Sequence, residues 1–144
     1  MKVEGLELGE DLVAWMPLSF AGSSGTSIRG AFSLSPGKIR RKATNEWLRV
    51  ADACGFPAPT GDLVIGLSSD NRLHVWRPRF WVARPGRHAG WFPCSRIAQV
   101  GLARHGTALR LTFLVDDGTL LGFESLNARR LRSFAAKIEG SIER

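Results

Sequence analysis

Apolar residues change their spacing several times along the chain, and each change marks an element. Between Gly9 and Leu18, Leu12, Ala14 and Met16 fall on one side of an extended backbone, while Val13 and Trp15 fall on the other. This predicts a first strand covered on both faces and ended by Pro17. The small, polar stretch from Ala21 to Gly30 predicts an irregular connection, followed by the basic run Lys38-Ile-Arg-Arg-Lys42 in a cation-rich loop. From Thr44 the period lengthens: Trp47, Val50, Ala51 and Cys54 fall at i, i+3, i+4 and i+7, which predicts a short amphipathic helix. Thr44 can cap its start, Gly55 can end it in a left-handed turn, and Phe56 can pack back over the last turn.

Beyond Pro57 and Pro59 the strand pattern returns. Leu63 to Leu67 and Leu73 to Trp76 flank the turn-forming Ser68-Ser-Asp-Asn71, so a hairpin is expected over Asp62 to Trp76. Between about 77 and 92, Pro78, Pro85, Gly86 and Gly90 interrupt a segment bearing Phe80, Trp81, Trp91 and Phe92, which predicts a looser hairpin or a long loop. Three further strands follow, through Ile97, Val100 and Leu102, through Leu109, Leu111 and Phe113, and through Leu120, Leu121 and Phe123. His105-Gly106 and Asp116-Asp-Gly118 join them, the second being a strong hairpin signal. A final helix over about 127–142 carries the stripe Leu131, Phe134, Ala135, Ile138 and Ile142, with Asn127 or Ser125 as its cap. That stripe must cover something, most simply the open end or face of the β-structure. The expected fold is mainly β: an antiparallel barrel or sandwich closed by a C-terminal helix, with a short extra helix inserted after the first strand.

At 144 residues, 44% hydrophobic and 23% charged, the chain has the size and composition of one globular domain, residues 1–144, with the insertion at about 29–60. Disorder and rod-like assemblies are excluded on the same grounds. No window approaches the run of about 20 apolar residues that a spanning helix needs, and the first ten residues lack the basic and apolar regions of a secretion signal. A cytoplasmic location is the expectation. Cys54 and Cys94 are then expected as reduced, partly buried thiols rather than a disulfide.

Candidate chemistry is sparse. His74, His88 and His105 lack metal-ligand spacing and read as strand or loop residues, so neither a metal nor a cofactor is expected. There is no Gly-x-Ser-x-Gly, no phosphate-cradling loop and no paired-carboxylate motif; Gly22-Ser-Ser-Gly25 reads as a connector and Asp116-Asp117 as turn residues. No catalytic residue is assigned.

Charge is more informative. Twenty Lys and Arg against thirteen Asp and Glu give a formal charge of +7, which favours an anionic partner: acidic lipid, an acidic protein face or nucleic acid. The arginine bias has two readings, bidentate anion contacts or a GC-rich genome. Its placement says more: from Asn71 to Val115 there is no Asp or Glu, while Arg72, Arg77, Arg79, Arg84, Arg87, Arg96, Arg104 and Arg110 fall inside, predicting a positive face. The candidate docking residues are Arg77, Arg79, Trp81, Arg84 and Arg87. Against this stands the reading that Trp76, Trp91 and Phe92 enter the core and the arginines solvate the outside. Lys38, Arg40, Arg41 and Lys42, with Arg29, form a second basic cluster. RNA or single-stranded DNA would use the same charges, with Phe80 or Trp81 stacking on bases, although no RRM, KH or helix-turn-helix signature is present.

Leu8-Gly-Glu-Asp-Leu-Val-Ala14, Leu63-Val-Ile-Gly-Leu-Ser-Ser-Asp-Asn-Arg-Leu-His-Val75, Pro93-Cys-Ser-Arg-Ile-Ala-Gln-Val100, Leu109-Arg-Leu-Thr-Phe113, Asp117-Gly118 and Phe123-Glu124 form a series of turn and core segments. Together they resemble bacterial pleckstrin-homology-like (PH-like) domains of the short, standalone actinobacterial type. The match covers most of the chain through turns and core positions. It departs from the family at Ser69-Asp-Asn-Arg72, where Thr-Asp-Arg-Arg is usual, and in the Trp-bearing inserted helix. The resemblance implies a non-catalytic adaptor or targeting module, peripheral at the inner face of the plasma membrane or bound to a partner protein. It also implies an anion pocket at the Lys38 to Lys42 cluster, and a partner site between the C-terminal helix and a sheet edge.

Overall fold

Hydrogen-bonding needs and the alternation of apolar side chains bend one antiparallel sheet around one core. The computed structural model describes residues 3–20, 36–59, 62–79 and 82–143, with backbone alone for 36–44, 82 and 83. Seven strands, β1 (Leu12–Phe20), β2 (Leu63–Ser68), β3 (Arg72–Arg79), β4 (Val82–Pro93), β5 (Ile97–His105), β6 (Ala108–Val115) and β7 (Leu120–Ser125), are joined by two helices, α1 (Pro36–Cys54) and α2 (Ala128–Ile142). The strand order is β4-β3-β2-β1-β7-β6-β5, every neighbouring pair being antiparallel. The edge strands β4 and β5 follow one another through a single 3-10 turn, Cys94–Arg96, without pairing, so the architecture is an open barrel or sandwich.

β1 is the hinge of the sheet. It pairs with β2 from Leu12 to Leu18, and with β7 only through Ser19 and Phe20. Ala14, Met16, Leu18 and Phe20 face inward, while Val13 is half exposed, so the strand is covered on one face rather than two. It also runs through Pro17 instead of ending there. The carbonyl of Trp15 accepts from Arg130 Nη2 at 2.8 Å rather than from β2. By alternation Pro17, two residues on, also turns its backbone away from β2, where its missing N–H costs no ladder bond.

The hairpins follow the predicted turns. Asn71 takes the left-handed conformation at φ +58, and Gly106 and Gly118 do so in the two later turns. The segment expected as a loose hairpin or loop is a hairpin, with Pro78 opposite Pro85 and three register shifts that absorb the prolines.

α1 is longer than its apolar stripe foretells: it begins at Pro36, a residue suited to a first helical turn, so Thr44 lies inside the helix and the Lys38 to Lys42 run is helical rather than looped. Trp47, Ala51 and Cys54 are buried, whereas Val50 stays 38% exposed on the flank of the stripe. The C-terminus forms the expected glycine stop: Gly55 N–H donates to Asp52 O (3.2 Å), Phe56 N–H donates to Ala51 O (2.9 Å), and Gly55 sits at φ +81. Trp47 Nε1 donates to Gly122 O at 2.8 Å, tying α1 to β7, and its ring meets Phe20, Phe56 and Phe123.

α2 inserts Leu131, Phe134, Ala135 and Ile138 into the same core, with Asn127 Oδ1 capping Arg130 N–H. Both cysteines are free and fully buried, more so than expected. Burial pushes the Cys94 thiol up to about 11.

Candidate functional site

The β3–β4 hairpin gathers most of the predicted docking residues. Arg77 and Arg79 lie on β3, Arg84 and Arg87 on β4, all four exposed, and among the described residues none of them is in an ion pair. Register brings them together: Trp76 faces His88, Pro78 faces Pro85 and Arg79 faces Val82, so the four guanidinium groups share the last turns of one two-stranded ribbon. Gly86 makes the close pairing possible, because a β-carbon there would lie 2.6 Å from the carbonyl oxygen of Arg77 and 3.0 Å from the Arg79 nitrogen. Phe80 and Trp81, and Arg29 of the second cluster, lie outside the described residues.

The rest of the positive stretch does not form one face. Arg72 pairs with Glu7 at 3.2 Å and lies over the Trp91 ring at 4.4 Å. Arg96 bonds Asp116 at 3.0 Å and the carbonyl oxygen of Cys54, stapling the end of α1 to the β6–β7 turn. Arg110 pairs at 2.7 Å with the fully buried Glu124, its partner across β6 and β7. These three arginines are structural, which narrows the candidate surface to the hairpin. Arg104 is exposed on β5, away from it in the strand order.

The three aromatics that the opposing reading sends into the core separate as well, and Trp91 does not enter it. Phe92 is in the core, Trp76 is fully buried on the opposite face of the sheet, and Trp91 remains 46% exposed. Lys38, Arg40, Arg41 and Lys42 occupy the first turns of α1, where the helix dipole disfavours cations, and the first turn itself holds no acidic residue.

A second constellation escaped the sequence. Residues 3–11 precede β1 and lie over the outer face of β3 and β4, next to the hairpin base. There Glu10 Oε2 is 2.9 Å from His74 Nε2, and His74 Nδ1 is 2.9 Å from His88 Nε2. The side chains of Glu10 and His74 are wholly buried. Burial alone would raise the Glu10 carboxyl, but the adjoining Ser68 hydroxyl, the Glu7 N–H and His74 stabilise its anion and hold it at about 2. Ser68 Oγ is itself buried and makes no well-formed hydrogen bond. His88 is pushed below its usual 6.5 by burial and by the charge of His74, against the pull of Glu4 and Glu10. Only the sequence Glu4-Gly-Leu-Glu7-Leu-Gly-Glu10, acidic at every third position, hints that this segment needs basic partners.

Among the described residues no group of three or more His, Cys, Asp or Glu is arranged to hold a metal ion, and no helix is long and apolar enough to cross a membrane. Comparison with models of known protein families and with curated proteins gave no match.

Proposed function

We propose that this chain is a PH-like, non-catalytic targeting module that docks on an anionic membrane surface through the β3–β4 hairpin. The observation that carries the reading is the set of four exposed arginines, Arg77, Arg79, Arg84 and Arg87, on one ribbon and free of ion pairs among the described residues. Cations near an anionic leaflet gain about 1 kcal/mol each, so four supply about 4 kcal/mol of reversible attraction. Phe80 and Trp81, which fall in the sequence between Arg79 and Val82, are aromatic residues of the kind that settles at the headgroup layer, and this composition favours a lipid surface over an acidic protein face. The PH-like assignment rests on the quoted motifs together with the element order of strand, inserted helix, strands and closing helix.

Co-sedimentation with phosphatidylcholine vesicles, with and without phosphatidylserine, tests the reading beside a single-stranded oligonucleotide titrated over salt. Retention only on the phosphatidylserine vesicles, tighter than on the oligonucleotide, is expected. No retention on either vesicle overturns it, and tighter oligonucleotide binding moves the function to nucleic acid.

A further inference from the structure

The segment 3–11 is a strap, held to the sheet by side chains rather than by a strand ladder. Trp76 Nε1 donates to Glu4 O at 2.7 Å, the backbone N–H of His88 donates to the Glu4 carboxylate at 3.3 Å, and Arg72 pairs with Glu7. Glu10 closes the array on His74. Gly5, at φ +93, lies so close on the His88 ring that any β-carbon would overlap it, so the strap backbone is packed directly on that ring. The pivot is close by: Gly9 stands at φ +84 with open space around it, and Ser69 N–H donates to Asp11 O at 2.8 Å.

Proton counting shows what this geometry tolerates. Between His74 Nδ1 and His88 Nε2, 2.9 Å apart, there is room for one hydrogen. With both rings neutral, His88 Nε2–H donates to His74 Nδ1, and His74 Nε2–H donates to the Glu10 carboxylate. With one extra proton, His74 donates from both nitrogens and His88 keeps its hydrogen on Nδ1. A second extra proton places N–H groups on both sides of the contact and two cations at a centroid separation of 5.1 Å. The facing groups are Glu4, Glu7 and Glu10 on the strap, the Ser68 hydroxyl on β2, Arg72 and Trp76 on β3, and Arg87 beside His88 on β4.

We propose that the strap is a proton-released clamp: it stays seated on β3 and β4 while His74 and His88 share at most one extra proton, and lifts off before the sheet unfolds once both rings are protonated. The strap yields first because β3 and β4 are held by ladders and the strap is not. The depressed affinity of His88 for a proton keeps the clamp shut at neutral pH. Release withdraws three carboxylates from the base of the hairpin next to Arg77 and Arg87; only this consequence for docking rests on the function proposed above.

Amide exchange by NMR on the whole chain, corrected for intrinsic exchange chemistry, tests the clamp between about pH 8 and about pH 5. The probes are the Glu7 and Glu10 amides and the Trp76 indole N–H, which the seated strap protects, against the amides of β6. Strap protection is expected to fall by more than about tenfold while β6 stays protected, and His88→Gln, which keeps hydrogen bonding but does not titrate, is expected to remove most of that fall. Strap protection that is independent of pH, or that falls in step with β6, overturns the proposal. A folded His88→Gln chain with the wild-type pH dependence overturns it too; if that variant does not fold, the strap-against-β6 comparison in the wild type decides.

Discussion

At the scale of single residues, Glu10 and His88 set the response to acid. The folded value of His88 lies below its usual 6.5, so the unfolded chain takes that proton first and stability is lost as pH falls through the usual value. Glu10, held at about 2 against its ordinary 4.5, acts in the same direction: its stabilisation is complete above 4.5 and is lost as pH falls toward 2. The midpoint of urea unfolding is therefore expected to drop below neutrality and again below pH 4.5, with the lower step smaller in Glu10→Gln; a flat midpoint would contradict both assignments. Glu10→Ala, which strips His74 Nε2 and the Glu7 N–H of their buried acceptor, is expected to cost about 3 kcal/mol by the same measurement. Beyond the acidic spacing of Glu4, Glu7 and Glu10, none of this was legible in the sequence. Glu10, His74 and His88 are brought together across 64 and 14 residues by the strap and by β3–β4 register, and no local pattern encodes that meeting.

Elements were more legible where a local signal decides them. The Gly55 stop of α1, the Asn71 turn, the Asp116-Asp-Gly118 hairpin and the stripe of α2 each need only neighbouring residues, and each is formed as expected. Pro17 inside β1 and the early start of α1 were missed, because the first depends on which strand edge is open and the second on eight residues without an apolar stripe before Thr44. Two substitutions check the element-level account. Gly55→Ala forces a side chain into the left-handed region and is expected to cost about 1 kcal/mol, about 3 °C in thermal midpoint for a domain of this size. Phe134→Ala empties a core site of α2 and is expected to cost about 3–5 kcal/mol in urea unfolding.

On the scale of the whole molecule, the formal charge of +7 is not spread evenly. Arg72, Arg96 and Arg110 are spent on internal pairs, and the hairpin keeps Arg77, Arg79, Arg84 and Arg87 unpaired among the described residues. The sequence gap in carboxylates from Asn71 to Val115 contains all four of these unpaired arginines and also the three paired ones. It could not separate structural from unpaired arginines, since Glu7, Asp116, Asp117 and Glu124 reach in from outside that stretch. The most direct measurement is vesicle co-sedimentation of two charge-matched variants, Arg77→Glu with Arg79→Glu on the hairpin, and Arg129→Glu with Arg132→Glu on α2. Each lowers the formal charge from +7 to +3, two units per substitution. Patch-specific docking predicts that the hairpin pair weakens retention on phosphatidylserine vesicles by more than about thirtyfold, with the α2 pair close to wild type. Equal losses in both folded variants would mean that overall charge, and not the hairpin, meets the membrane.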